Sequence, residues 1–214
     1  MRSVLKYLGV AIMSLFFLAA AAQAKQEYSG FLVDYSQLKP GPPGGVAKLY
    51  RKEGVNYNKY TKIMMDQVVF FFKDDAEERG IDPIDMAELS HKFHKEATAA
   101  LGSAYPLVEE PGPDVMRVRV AITDLELPKR TAGMLKSILT GKGPGLGEIS
   151  MEFEFLDSKT NQRIVAGVDH RTGTRLESLR RFATAEEAFK FWAQRLRQRM
   201  DEAHGKRVEQ LKIN

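Results

Sequence analysis

Between Asp114 and Leu127 the chain alternates. Met116, Val118, Val120 and Ile122 fall on one side of an extended backbone, and Arg117, Arg119, Ala121 and Thr123 fall on the other. A period of two is that of a β-strand with one face on an apolar core. At Thr123–Asp124 the pattern slips by one, because Leu125 and Leu127 take the odd positions. A slip of one residue moves the following side chains to the opposite face, so the spacing predicts a β-bulge or the end of pairing there. A second alternation runs over 147–157, with Ile149, Met151, Phe153 and Phe155 opposed to Glu148, Ser150, Glu152 and Glu154. Ser158–Asn161 reads as a turn with Asn161 in the left-handed conformation, and Arg163–Thr172 returns as a strand. These three strands are expected to form an antiparallel meander. Arg117 and Arg119 would face Glu152 and Glu154 across a wet face, in pairs adding roughly 0.2–1 kcal/mol each.

Two helices accompany the strands. Asp82-Pro83-Ile84-Asp85 combines an N-cap acid with proline at the first helical position. Met86, Leu89, Phe93, Ala97, Ala100, Leu101 and Ala104 then recur at helical spacing up to Gly102 and Pro106. Thr184-Ala185-Glu186-Glu187 reads as a capping box, followed by an apolar stripe of Ala185, Ala188, Phe189, Trp192, Ala193, Leu196, Met200 and Ala203. Lys62–Lys73, rich in Val and Phe, reads as one strand buried on both faces, with Asp66 at a kink or edge. The order strand–helix–strand–strand–strand–helix predicts an α+β two-layer sandwich. Its mixed sheet would have about four strands, with the first strand–helix–strand unit parallel and both helices on one face.

The first 24 residues have the form of a secretory signal: Arg2 and Lys6, then an apolar run from Leu8 to Ala22, then Ala22-Gln23-Ala24. The small-x-small rule places cleavage between Ala24 and Lys25. The apolar run of about 15 residues is short against the roughly 20 needed to span a bilayer. Removing 24 of 214 residues leaves 190, enough for one domain with a core of its own. Removing Arg2 and Lys6 takes the formal charge from +4 to +2, which is not the balance of a dedicated nucleic-acid binder. The chain has no cysteine, hence no disulfide and no site for N-terminal lipid attachment. The expected location is the periplasm.

Residues 25–60 differ from the rest. Tyr28, Tyr35, Tyr50, Tyr57 and Tyr60, five of the seven tyrosines, lie here around Pro40-Gly41-Pro42-Pro43-Gly44-Gly45. The proline and glycine cluster forbids a long helix or a central strand, which predicts a segment that wraps the 61–214 domain and lays rings on it. Tyr35, Tyr50 and Tyr57 are candidate contact residues. Met134 and Leu135, in the amphipathic middle of the glycine-rich stretch 128–147, are two more.

No constellation of reactive groups emerges. Glu88, His91 and His94 make at most half a metal site, since the second helix offers no matching set on its apolar face. Asp169-His170 lacks a nameable nucleophile, there is no G-x-S-x-G elbow, and Gly141-Lys142-Gly143 lacks P-loop spacing. No catalytic, cofactor-binding or metal-binding residue is assigned, and no cofactor. Arg180, Arg181, Lys190, Arg195, Arg197, Arg199, Lys206 and Arg207 make the C-terminal third basic. They fit a solvated helix face or contact with anionic lipid headgroups.

YSGFLVDYSQLKPG at 28–41, GVNYNKYTKIMMD at 54–66, YPLVEEPGPDVMRVRVAITD at 105–124 and EFLDSKTNQRIVAGVDHRTG at 154–173 resemble domain-of-unknown-function family 3313. The resemblance covers most of 28–175 and implies a secreted protein or lipoprotein of Gram-negative bacteria. This chain departs from the lipoprotein members in lacking a lipobox cysteine, and it carries Asn161 where the family usually has glycine. The resemblance implies no activity. The expectation is therefore a non-catalytic periplasmic binding or assembly module with an envelope protein or lipid as partner. The alternatives are a small envelope hydrolase and an anionic-lipid-binding protein.

Overall fold

The computed structural model describes residues 27–74, 81–126, 148–173 and 183–206. Ala24, Lys25, Met134 and Leu135, and with them the expected cleavage site and the 128–147 stretch, lie outside the described residues. Two helices, α1 (Pro83–Gly102) and α2 (Ala183–Ala203), cover one face of a sheet. Its strands are β1 (Lys39–Pro40), β2 (Lys48–Arg51), β3 (Lys62–Met65), β4 (Val69–Phe70), β5 (Val115–Glu126), β6 (Glu148–Asp157) and β7 (Arg163–Thr172). They lie in the order β1-β2-β7-β6-β5-β3, with β4 also on β5.

The sequence periodicities are realised in the long strands. β5, β6 and β7 form the antiparallel meander, and the β5–β6 register shifts between Ile122 and Asp124, where the alternation slips. Thr123, caught in that bulge, is fully buried. Asn161 takes φ 54° in the β6–β7 turn. β3 and β4 pair parallel to β5 with α1 between them in sequence. Asp82 caps α1 by accepting a hydrogen bond from the Ile84 N–H at 2.7 Å. Met116, Val118, Val120 and Ile122 pack with Ile149, Met151, Phe153 and Phe155 against Leu89, Phe93, Phe189 and Trp192 of the helices. The Phe93 and Phe189 rings stack at 4.6 Å.

Three expectations are corrected. The sheet has seven strands, not about four. Lys62–Lys73 is not one strand but two short ones, β3 and β4, interrupted at Asp66. That carboxylate takes a two-pronged bond from Arg117, at 2.9 and 2.7 Å, while the Asp66 N–H still donates to the Val118 carbonyl at 3.0 Å. The 25–60 segment adds β1 and β2, pairing β2 antiparallel to β7. Pro40 is tolerated in β1 because that strand is the sheet edge.

The third correction concerns the face away from the helices, expected to be wet. Residues 29–38 lie over it. Phe31 and Leu32 pack on Ala121 and Ala166, with Tyr35, Leu38 and Tyr50 alongside. Burying two such apolar side chains stabilises the fold by about 1.5–3 kcal/mol each. Glu152 is 0% exposed beneath them. One of its oxygens accepts from the Ser29 N–H at 2.8 Å and the other from the Tyr35 hydroxyl at 2.6 Å. Arg119 does pair with Glu154, as the alternation predicts, and Arg163 donates to the same carboxylate at 2.9 Å. Arg163 also donates to the Leu32 and Asp34 carbonyls, fastening the covering segment to the sheet. Glu152 is thus met by donors more than a hundred residues away in sequence.

Candidate functional site

The helix-facing side of the sheet is not filled everywhere. A cleft of about 650 Å³ opens between α2 and strands β2, β6 and β7. Its floor is Val120, Met151, Phe153, Phe155 and Val165; one wall is Trp192, Leu196 and Met200 of α2; the loop Pro40–Val46 closes one end. The floor follows from the same alternation that puts every second β6 residue toward the helices. Strand β2 obeys it too: Leu49 and Arg51 line the cleft, while Tyr50 packs on the opposite face.

Small residues shape the cleft. A Cβ on Gly41 would sit 1.8 Å from the Val46 carbonyl oxygen, so only glycine lets the loop fold back on itself. The loop is then pinned by Gly41 N–H to the Ala47 carbonyl at 2.9 Å and Gly45 N–H to the Pro42 carbonyl at 2.8 Å. A Cβ on Gly167 would meet the Phe153 ring at 2.5 Å, so the ring can lie flat over β7 only because that position is bare.

Asp169 joins three elements at the inner end. Its carboxylate accepts from the Trp192 indole N–H at 2.7 Å and from the Ala47 N–H at 3.0 Å. The acid is 7% exposed and the tryptophan 3%. This arrangement fixes β7, α2 and the end of the loop relative to one another.

Three arginines line the cleft: Arg51, Arg195 and Arg199. Arg199 is paired with Glu202 at 2.6 Å. Arg195 donates to the Gln198 side chain at 3.1 Å and lies over the Phe191 ring at 5.5 Å. Arg171 covers that ring at 4.2 Å. Among the described residues, no carboxylate pairs with Arg51 or Arg195. The Tyr57 hydroxyl is buried without a hydrogen-bond partner. Burial pushes its pKa up, partly offset by the Arg51 charge.

The tyrosines singled out from the sequence are separated by the fold. Tyr35 is bonded to Glu152 and stacks on Tyr28 at 4.2 Å, Tyr50 packs on the same face, and Tyr57 alone reaches the cleft. Asp169 and His170 are also separated, since neighbours on a strand point oppositely. His170 is exposed and stands across the ladder from Ser150, with Asp124 beyond it. In that row the serine lies between the acid and the histidine, so the acid cannot orient the imidazole toward a nucleophile. The Glu88, His91 and His94 set gathers no further ligand; among the described residues no three metal-ligating side chains converge. Among the same residues no helix is long and apolar enough to cross a membrane. The cleft itself was missed by sequence reasoning. Its only signals were the bare Gly167 within a strand and a basic stripe, Arg195 and Arg199, beside an apolar one on α2.

No curated protein matches the sequence. Among solved structures, a PelC dodecamer from Paraburkholderia phytofirmans is similar at 12% identity and TM-score 0.34, over 66% of this chain and 96% of that one. A DUF330-family protein from Xanthomonas campestris is similar at 8% identity and TM-score 0.39, over 67% and 86%. The family described as "Protein of unknown function (DUF3313)" matches residues 27–196, from the covering segment through most of α2. The chain belongs to that family.

Proposed function

We propose that this protein is a non-catalytic binding module of the Gram-negative envelope, and that it takes an apolar ligand in the cleft beneath α2. The observation that carries the reading is the cleft itself. Its size, about 650 Å³, lies in the range of small-molecule sites, and its floor and wall are apolar. The polar groups at its inner end are occupied by one another, which suits holding a ligand better than attacking one. Export rests on the N-terminal charge-then-apolar pattern, with cleavage after Ala24 to give a mature protein beginning at Lys25 and ending in one 61–214 domain wrapped by 25–60. Tyr57 is the contact residue this reading retains in the cleft, while Tyr35 and Tyr50 hold the wrap in place.

The test uses a neutral apolar dye, 1-aminoanthracene, titrated into the mature protein. Saturable binding is expected, with energy transfer from Trp192. Leu49→Phe, which adds bulk at a half-buried cleft position, should weaken it. Absence of saturable binding, or binding indifferent to Leu49→Phe in a folded variant, would remove the cleft as the site.

A further inference from the structure

Building on that reading, we infer that the cleft's ligand is a single-chain anionic amphiphile, its alkyl chain on the β6 floor and its headgroup between Arg51 and Arg195. The floor has length for a chain: Met151 to Phe155 along β6 spans about 13 Å at strand rise. An extended alkyl chain can lie along that apolar length. The cationic side chains lining the cleft are Arg51, Arg195 and Arg199. The single acid lining the cleft, Asp169, is at the inner end and spends both oxygens on Trp192 and Ala47. Glu202 answers Arg199, which leaves Arg51 and Arg195 unneutralised among the described residues.

The geometry of these two arginines supports a headgroup site over a generally basic surface. Arg51 closes β2 on the cleft side, and Arg195 stands on α2 beside Trp192, so one lines the cleft from the sheet and the other from the helix. Arg195 is held by the Phe191 ring and by Gln198. It also lies so close to Gly44 that a Cβ there would sit 3.5 Å from its Nη2. A guanidinium whose direction is fixed in advance loses less freedom on binding, and its planar fork matches a carboxylate or a phosphate. Both headgroups share that chemistry, so the proposal covers a free fatty acid and a lysophosphatidate alike.

The chain's single tryptophan, Trp192, forms the cleft wall and reports occupancy directly. Bromine on a bound alkyl chain quenches it by contact. The mature protein is titrated with dibromostearate, with a dibrominated lysophosphatidate and with the uncharged methyl ester of dibromostearate. Saturable quenching by one or both anions is expected, and whichever anion binds more tightly identifies the headgroup. The ester should bind about tenfold or more weakly, and Arg51→Gln/Arg195→Gln should bind acid and ester alike. An ester that binds as tightly as the acids, or a double variant that still distinguishes them, would overturn the headgroup assignment while leaving an apolar site intact. Quenching by no chain at all would remove both readings. Binding to phosphatidylglycerol vesicles without Trp192 quenching by any of the three would mean a surface contact, and would also overturn it.

Discussion

Tyr35→Phe isolates the device that holds the N-terminal segment on the sheet. The Tyr35 hydroxyl donates to Glu152 at 2.6 Å and accepts from the Gly30 N–H at 2.8 Å and the Leu32 N–H at 3.2 Å. Phenylalanine preserves the ring and its stacking on Tyr28, so the substitution removes the hydroxyl alone. A hydrogen bond to a charged group contributes about 1.5–3 kcal/mol, and stranding a buried charged group costs more than stranding a neutral one. Glu152 keeps only the Ser29 N–H as a donor among the described residues. The expected destabilisation is about 3 kcal/mol, or roughly 6–12 °C in Tm for a chain of this size. Urea unfolding followed by Trp192 emission measures it. Tyr28→Phe, which removes only an acceptor of a Lys48 bond, is the control and should cost well under ~1 kcal/mol. A Tyr35→Phe midpoint within about 0.5 kcal/mol of the parent would refute the claim that this hydroxyl sustains the buried carboxylate. The pH dependence supplies a second check. Burial, then the bond to Glu152, pushes the Tyr35 pKa up to about 12. The unfolded chain therefore ionises first, near pH 10. The stability due to this group is complete below about pH 10 and is lost as pH rises toward 12, and that alkaline loss should be absent in Tyr35→Phe.

Gly167→Ala drives a methyl group into the Phe153 ring and toward the Lys48 carbonyl; an overpacking cost of about 1–3 kcal/mol is expected in thermal unfolding. Asp157, at the β6–β7 turn, is pushed up by burial but held well below the usual carboxylate range. The bonds that hold it come from Lys59, the Thr160 N–H and the Tyr60 hydroxyl. Its contribution is therefore present above about pH 4 and lost as pH falls below that, so Asp157→Asn should lower stability at pH 7 and flatten the acid limb of the stability curve. N-terminal sequencing of the protein recovered from a periplasmic extract should begin at Lys25; an intact Met1 in the membrane fraction would oppose cleavage.

The features legible in the sequence are those a short window encodes. Alternation at 114–127 and 147–157 set the faces of β5 and β6, the slip at Thr123 located the bulge, Asp82 located a helix start, and Asn161 located a left-handed turn residue. Each depends on backbone preference or side-chain direction within a few residues. What only the tertiary structure decided depends on partners far apart. Nothing near Lys39 or Lys48 announces a strand, because β1 and β2 exist only through β7, more than a hundred residues on. Glu152 looked like a solvated residue, because an alternating acid is identical in sequence whether water or Ser29 and Tyr35 meet it. The cleft is the same case: its lining comes from β2, β5, β6, β7 and both helices, and a void is a property of how those elements fail to fill the space between them. Local periodicity tells each side chain which way to face; which distant group, or none, it meets there is chosen by the packing of the whole chain.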